Sequence, residues 1–154
     1  MSLEIRLLGP GDDAVLARTG DDLFDDPIDA RSTAAFLADP RHHLAVAVDD
    51  GVVVGFVSAV HYAHPDKPGP EMWINEVGVA STHRGHGIGA RVLRAMLDHG
   101  ATLGCIEAGV LTTRENAVAR RLYERCGGME VPPEPVMFAF HLDGGGTIDG
   151  SPPA

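Results

Sequence analysis

The residues with the clearest chemical potential form a glycine-rich turn between a predicted strand and a predicted helix. Gly85, Gly87 and Gly89 stand at every second position, and Arg84 precedes them. Glycines at this spacing let the backbone turn with its N–H groups pointing inward, and the N-terminus of the following helix adds a positive partial charge. The segment therefore predicts a binding site for phosphate oxygens, with Arg84 supplying a cationic surrounding.

Two known phosphate-binding motifs can be compared with this loop. A P-loop is excluded because no Gly-Lys-Ser/Thr sequence follows the glycines. A dinucleotide-binding turn matches in part, through Gly85-x-Gly87-x-x-Ala90 and Glu107, which lies 20 residues after Gly87. However, four residues separate this loop from its strand, and Glu107 begins the next strand instead of ending it. A dinucleotide-binding protein therefore stays only as an alternative.

The elements that must position the loop follow from hydrophobic patterning. Alternating or continuous apolar runs predict strands at residues 3–8, 44–48, 52–60, 72–79, 105–111 and 136–142. Apolar residues three and four apart, with capping residues, predict helices at residues 14–16, 31–37, 89–104 and 116–126. Asp49-Asp50-Gly51 predicts a hairpin turn between the second and third strands. This order of elements predicts an α/β or α+β sandwich of one sheet and flanking helices.

Composition and charge restrict the class of protein. The chain has 154 residues, the size of one domain, and carries 22 acidic and 12 basic side chains. The resulting net charge of −10 argues against nucleic acid and against anionic membrane surfaces as partners. Residues 83–126 alone are positive, at net +3, and four acids crowd residues 21–26. This distribution fits an anion bound by the positive stretch and a cation drawn to the rest.

Several further features bear on cellular context and metals. The chain shows no apolar run of about 18 residues, no signal-peptide pattern at its start, and two cysteines without CxxC spacing. We therefore expect a cytoplasmic protein. His83 and His86 have no third ligand near them in the sequence, so we expect no metal.

Two motifs resemble those of the GCN5-related N-acetyltransferases, the GNAT superfamily. R-x-x-G-x-G at residues 84–89 matches the family's loop signature, and N-x-x-A-x-x-L-Y-x-x-x-G at residues 116–127 is similar to the motif on its following helix. The element order agrees as well, so the resemblance covers nearly the whole chain. A more distant likeness, through E-x-x-I-x-E-V-x-V at residues 71–79, is to the aminoglycoside 3-N-acetyltransferases of this superfamily.

The resemblance implies a fold, a donor and a set of binding residues. The fold would be a single GNAT-like domain over residues 1–143, followed by a flexible Gly/Pro-rich tail over residues 144–154. It would contain a central mixed, mostly antiparallel sheet of about six to seven strands flanked by four helices. The donor would be acetyl-CoA, with its pyrophosphate on loop amides and its pantetheine paired along a strand. The implied cofactor-binding residues are Val77, Gly78, Val79, Arg84, Gly85, His86, Gly87, Ile88, Gly89 and Asn116.

Glu76 is the first candidate for a general base. A primary ammonium keeps its proton at neutral pH, so a base is useful, and Glu76 directly precedes the backbone that would carry the acetyl group. Strand alternation predicts that Glu76 shares a face with Met72 and Ile74. The reserve candidates, in order, are Glu71, His61 and His64.

The other candidate roles each have a structural alternative. Tyr123 is the proposed general acid for the departing thiolate, but it also lies on the apolar stripe of its helix. Asn116 would contact the pantetheine or serve only as a helix N-cap. Gly78 suits a bulge or the close approach of a ligand, or it relieves packing. Glu76 itself could be a carboxylate held by a neighbour.

The acceptor and the assembly are less constrained by the sequence. The acids of residues 21–26 favour a small cationic amine, aminoglycoside-like or polyamine-like, over an acidic metabolite. A peptide or protein amino group and a non-catalytic acyl-CoA-binding module are the alternatives. The sequence is compatible with a homodimer.

Overall fold

The computed structural model describes residues 2–132 and 136–142. The chain forms two compact units, Met1–Leu111 and Thr112–Ala154. Within the described residues, the first unit contains helices α1 (Ala30–Ala38) and α2 (Ile88–Thr102), and the second contains α3 (Ala117–Arg125). Two short 3-10 helices, Asp13–Ala17 and Ser81–His83, also belong to the first unit.

One mixed sheet organises the first unit. In the described residues its strands follow one another in space as in the chain: β1 (Leu3–Leu8), β2 (His42–Asp49), β3 (Val52–Tyr62), β4 (Glu71–Val79) and β5 (Glu107–Val110). β1 to β4 pair antiparallel, whereas β5 runs parallel to β4. A parallel neighbour needs a crossover connection, and α2 supplies it.

The β2–β3 hairpin forms at the predicted turn. Asp49 pairs with Val52, so that two residues connect the strands, and these residues, Asp50 and Gly51, have positive φ angles of 49° and 75°. Two positive φ angles give a turn whose twist matches that of the flanking strands, and Asp-Gly adopts them readily. The hairpin prediction is confirmed.

Helix α2 packs on one face of the sheet through small residues. Val92 and Met96 of α2 are completely buried. A Cβ added to Gly55 of β3 would lie 2.9 Å from Ile88 Cγ2 and 3.5 Å from Ala47 Cβ. Gly55 therefore leaves the space in which the first turn of α2 sits on the sheet.

The opposite face carries a hydrophobic cluster of its own. Phe56 follows Gly55 in β3 and so points to this other face. Phe24 stacks on it with ring centroids 4.3 Å apart, which ties the loop between the first 3-10 helix and α1 to the sheet. The buried members of the cluster are Leu8, Leu16, Leu23, Leu37, Leu44, Val46, Val53 and Phe56.

A bulge interrupts the pairing of β3 with β4 and overturns one prediction. Ser58 pairs with Glu76, but the next residue of β3 pairs with Ile74, so Asn75 is an extra residue. The alternation of β4 shifts by one at this point, and Glu76 lies on the face of Ser58 instead of the face of Ile74. The prediction that Glu76 shares a face with Met72 and Ile74 is therefore wrong.

The predicted closing strand is also wrong. Residues 136–142 form no strand, and all seven are exposed. Their apolar side chains are 64–95% exposed, and an apolar run becomes a strand only where it finds a pairing edge and a packed face. Within the described residues the sheet thus has five strands, not six to seven.

The remaining expectations about the fold have mixed outcomes. Three of the four predicted helices are α-helices in the described chain, whereas the first, Asp13–Ala17, is a 3-10 helix because five residues are too few for a stable α-helical segment. None of the described helices is long and apolar enough to cross a membrane. The predicted tail at residues 144–154 lies outside the described residues, and the domain boundary stays a prediction.

Candidate active site

The glycine loop has the backbone conformation that favours glycine. Gly85 and Gly87 have φ angles of 79° and 74°, and Gly87 is the N-cap of α2. A Cβ on either glycine would meet no heavy atom of the described residues within 4 Å, so the backbone angle and not packing selects glycine here. Among the described residues no side chain caps the first turn of α2, which suits a site where N–H groups bind an anion.

Arg84 lies between the 3-10 turn that follows β4 and the first glycine of the loop. Its Nε donates to the carbonyl oxygen of Val79 at 3.1 Å, and its Nη2 lies 3.9 Å from Asp22 Oδ2. The Arg84 side chain is 65% exposed, so its charge is available to a ligand. His86 folds back on the same loop, with Nδ1 donating to the Arg84 carbonyl at 2.9 Å.

The 3-10 turn before the loop is anchored on two sides. On one side the Asp22 carboxylate accepts the N–H of Ser81 at 3.1 and 3.3 Å. Hydrogen bonding to the Ser81 side chain, and next to this backbone N–H, holds the pKa of Asp22 below its usual value. On the other side His83 Nε2 lies 2.8 Å from Asp49 Oδ2 in the β2–β3 hairpin. Both anchors tie the start of the loop to distant parts of the sequence.

The edge of β4 becomes open towards the loop. β5 pairs with β4 only from Glu71 to Ile74, whereas β3 pairs with it as far as Val79. Beyond Ile74, no other strand of the described chain pairs with this edge. Val77, Gly78 and Val79 are half-buried residues, and their backbone has an edge on which an extended, amide-rich chain can pair.

Gly78 has a packing reason to be glycine. A Cβ there would lie 2.7 Å from Phe56 Cε1 and 3.5 Å from the carbonyl oxygen of Leu23. Phe56 is also the pairing partner of Gly78 across the sheet. The bulge suggested for Gly78 lies instead at Asn75. Packing alone accounts for the missing side chain.

Glu76 has an environment that strengthens it as a base. It lies on the sheet face that the loop of residues 21–26 covers, because it pairs with Ser58 and lies two residues before Gly78. Glu76 is an exposed residue, but desolvation of its carboxylate, and next the negative charge of Asp25, raise its pKa above its ordinary value. A carboxylate with a raised pKa takes up a proton more readily, as a general base must.

The reserve base candidates are engaged elsewhere. Glu71 binds Lys67 Nζ and His64 Nε2 at 2.5 and 2.9 Å, and these bonds lower its pKa. Glu71 begins β4, about 16 Å from Glu76 at the usual rise of a strand. His61 Nδ1 is bonded to His43.

An acidic loop lines a cavity on the same side as Glu76. The cavity has a volume of about 400 Å³. Its lining residues are Thr19, Gly20, Asp21, Phe24, Asp25, Asp26, Pro27 and Ile28. Three carboxylates at one opening attract cations and repel anions.

Three histidines that no sequence motif connects form a hydrogen-bonded row. His43 is 7% exposed, with Nε2 2.7 Å from His61 Nδ1 and Nδ1 3.0 Å from His99 Nε2. Burial, followed by the neighbouring imidazoles, lowers the pKa of His43 to about 4. The three residues lie far apart in the sequence, so no local signal marks them. No group of side chains suited to a metal ion occurs among the described residues.

The second unit contains the other two motif residues. Asn116 Oδ1 accepts the N–H of Ala119 at 3.0 Å, which confirms its N-cap role for α3. Tyr123 is half-buried, and burial raises the pKa of its phenol. Within this unit Arg114 and Arg120 both pair with Glu130, Arg120 at 3.2 Å.

Comparison with known proteins identifies relatives of one kind. The model of the acetyltransferase (GNAT) family matches residues 14–128. The chain is 28% identical over 95 residues to YycN, an uncharacterised N-acetyltransferase of Bacillus subtilis strain 168, covering 61% of this chain and 60% of that protein. It is 41% identical over 73 residues to N-alpha-acetyltransferase 40 of Saccharomyces cerevisiae, covering 43% of this chain and 26% of that protein.

A solved structure shares the fold. An aminoglycoside acetyltransferase from an uncultured soil metagenomic sample, in complex with sisomicin, superposes with a TM-score of 0.77 at 19% identity, covering 92% of this chain and 97% of that one. This likeness concerns the fold. The chain spans less than two thirds of the length of the two sequence relatives.

Proposed function

The chain belongs to the GNAT family of acetyltransferases, and we propose that it transfers the acetyl group of acetyl-CoA to a primary amine. The observation that carries the proposal is the open edge of β4, which is followed, after one 3-10 turn, by the positive-φ glycine loop. The two parts of acetyl-CoA need two adjoining sites of these kinds. The strand edge pairs with the amides of the arm that carries the thioester, and the glycine loop presents N–H groups to the oxygens of the pyrophosphate.

The donor would lie along this edge and across the loop. Backbone groups of β4 would pair with the pantetheine, and loop N–H groups with Arg84 would bind the pyrophosphate. The proposed cofactor-binding residues are Val77, Gly78, Val79, Arg84, Gly85, His86, Gly87, Ile88, Gly89 and Asn116. The role of Asn116 rests on the motif at residues 116–127, because its side-chain oxygen already caps α3.

Glu76 and Tyr123 are the proposed acid–base pair. Glu76 takes a proton from the acceptor ammonium, and the free amine nitrogen attacks the thioester carbonyl carbon. The C–S bond then breaks, and the CoA thiolate takes a proton from the Tyr123 phenol. The acylated nitrogen loses its extra proton, which restores the phenol. Burial raises the pKa of Tyr123, so the phenol holds its proton before the step and the transfer to the thiolate is uphill. Its role rests on the motif at residues 116–127.

The acceptor is proposed to be a small cationic amine, aminoglycoside-like or polyamine-like. The carboxylates of Asp21, Asp25 and Asp26 at the cavity support this choice, as does the overall charge of −10. The second candidate is the amino group of a peptide or protein, which the sequence match to an N-alpha-acetyltransferase favours. A basic peptide would feel the same electrostatic field.

The test measures release of free CoA thiol with four acceptors at low and high salt: spermine, a neutral amine, an acidic amino acid and a basic peptide. We expect spermine to give the highest kcat/KM and to lose part of it in high salt, because salt screens attraction between exposed charges. A preference for the acidic acceptor would contradict the acceptor assignment. No thiol release with any acceptor, despite binding of CoA, would favour a non-catalytic CoA-binding module.

A further inference from the structure

Asp22 connects the acidic loop with the glycine loop. Asp21 and Phe24, on either side of it in the sequence, line the acidic cavity, and the Asp22 carboxylate accepts the N–H of Ser81, 59 residues away. The same carboxylate lies 3.9 Å from Arg84 Nη2. One side chain therefore touches the turn that begins the proposed cofactor site while belonging to the segment that forms the proposed acceptor site.

We propose that Asp22 is a positioning residue through which CoA bound at the glycine loop orders the acceptor loop, residues 19–28. The proposal rests on the proposed function. Binding of CoA fixes the turn from Ser81 to Arg84, and the bond to Asp22 carries this restraint into the acceptor loop. Since coupling between two sites is reciprocal, a bound acceptor would in turn favour CoA.

The two contacts of Asp22 differ in strength. Asp22 and Arg84 are 46% and 65% exposed, and an ion pair of this exposure contributes little. The bond from the Ser81 N–H to a carboxylate is charge-assisted and has a fixed backbone donor. A pyrophosphate that draws Arg84 away therefore leaves the Ser81 bond in place. That bond is the element that carries the coupling.

Asp49 provides a matched control. It is also a carboxylate that anchors the same turn, through His83 Nε2 at 2.8 Å, but it belongs to the β2–β3 hairpin and not to the acceptor loop. Loss of Asp49 removes an anchor of the turn and leaves the connection to residues 19–28 intact.

Amide hydrogen–deuterium exchange, with and without saturating CoA, tests the proposal. In the parent protein we expect CoA to slow exchange at residues 84–91 and also at residues 19–28. Asp22→Ala should keep the effect at 84–91 and lose that at 19–28, whereas Asp49→Ala should keep both. Asp22→Asn retains an acceptor oxygen for Ser81, so it should restore most of the effect at 19–28, a rescue that general loosening of the fold would not produce.

The outcomes separate this inference from the proposed function. Slowed exchange at residues 84–91 alone in the parent overturns the coupling and leaves the cofactor assignment standing. No slowing anywhere overturns the cofactor assignment and the coupling together. An Asp22→Ala variant that still slows exchange at residues 19–28 as the parent does would show that the restraint travels by another route.

Discussion

Acidification is expected to destabilise the fold through His43. The three imidazole rings are hydrogen-bonded to one another in their neutral forms when His99 Nε2–H donates to His43 Nδ1 and His43 Nε2–H donates to His61 Nδ1. The ring of His43 is buried, so a proton on it costs free energy, and its pKa falls from 6.5 to about 4. His42 lowers this pKa further, and Asp39 acts in the opposite direction.

The sign and the size of the effect follow from linkage. The folded pKa of His43 is depressed, so between pH 6.5 and pH 4 the unfolded chain binds more protons than the folded chain does. The free energy of unfolding therefore falls as the pH falls through this range. For these two pKa values the loss is about 2 kcal/mol between pH 7 and pH 5, and about 3 kcal/mol by pH 4.

Urea unfolding at pH 7 and pH 5, followed by the fluorescence of the single tryptophan, Trp73, measures this loss. His43→Gln keeps one donor and one acceptor for the neighbouring rings but does not titrate. The variant should lose about 2 kcal/mol less than the parent between the two pH values. His141→Gln, at an exposed position, is the control and should behave as the parent does. Equal losses in the parent and in His43→Gln would refute the reasoning.

Four further variants test the site. Gly87→Ala, at a φ angle of 74°, should weaken CoA binding about tenfold in calorimetry while the fold is kept. A left-handed alanine costs about 1–2 kcal/mol, so the free loop of the variant relaxes out of this conformation and CoA binding must restore it. Unchanged affinity would refute the loop assignment. Gly55→Val should lower the free energy of unfolding by about 1–3 kcal/mol, since its side chain would collide with Ile88, and an unchanged urea midpoint would contradict this packing. Glu76→Gln should reduce kcat/KM by about 10²–10⁴-fold and abolish the acidic limb of the pH–rate profile. In the parent this limb should lie above the ordinary pKa of a glutamate. An unchanged limb would exclude Glu76 as the general base. Tyr123→Phe should lower kcat by about 10- to 100-fold with little change in CoA affinity, and equal turnover would leave Tyr123 a packing residue.

Local chemistry alone determined several elements of this protein. Asp50-Gly51 specifies its turn because both residues tolerate positive φ, and Asn116 specifies the start of α3 because its side chain bonds within the first turn. The absence of a Cβ also permits the positive φ angles of Gly85 and Gly87. Each of these features depends on residues within a few positions of one another, so the sequence suffices to predict it.

Tertiary structure decided the features that depend on a distant partner. A bulge places Glu76 on the sheet face that the loop of residues 21–26 covers. This bulge exists only in the pairing of β4 with β3, and no sequence pattern within β4 predicts it. The bond between Asp22 and Ser81 joins residues 59 positions apart. The apolar run at residues 136–142 fits a strand by pattern, yet it forms none, because a strand needs an edge to pair with and a surface to cover. Pairing register and burial belong to the folded chain as a whole, and they set the face on which Glu76 lies and the pKa it has there.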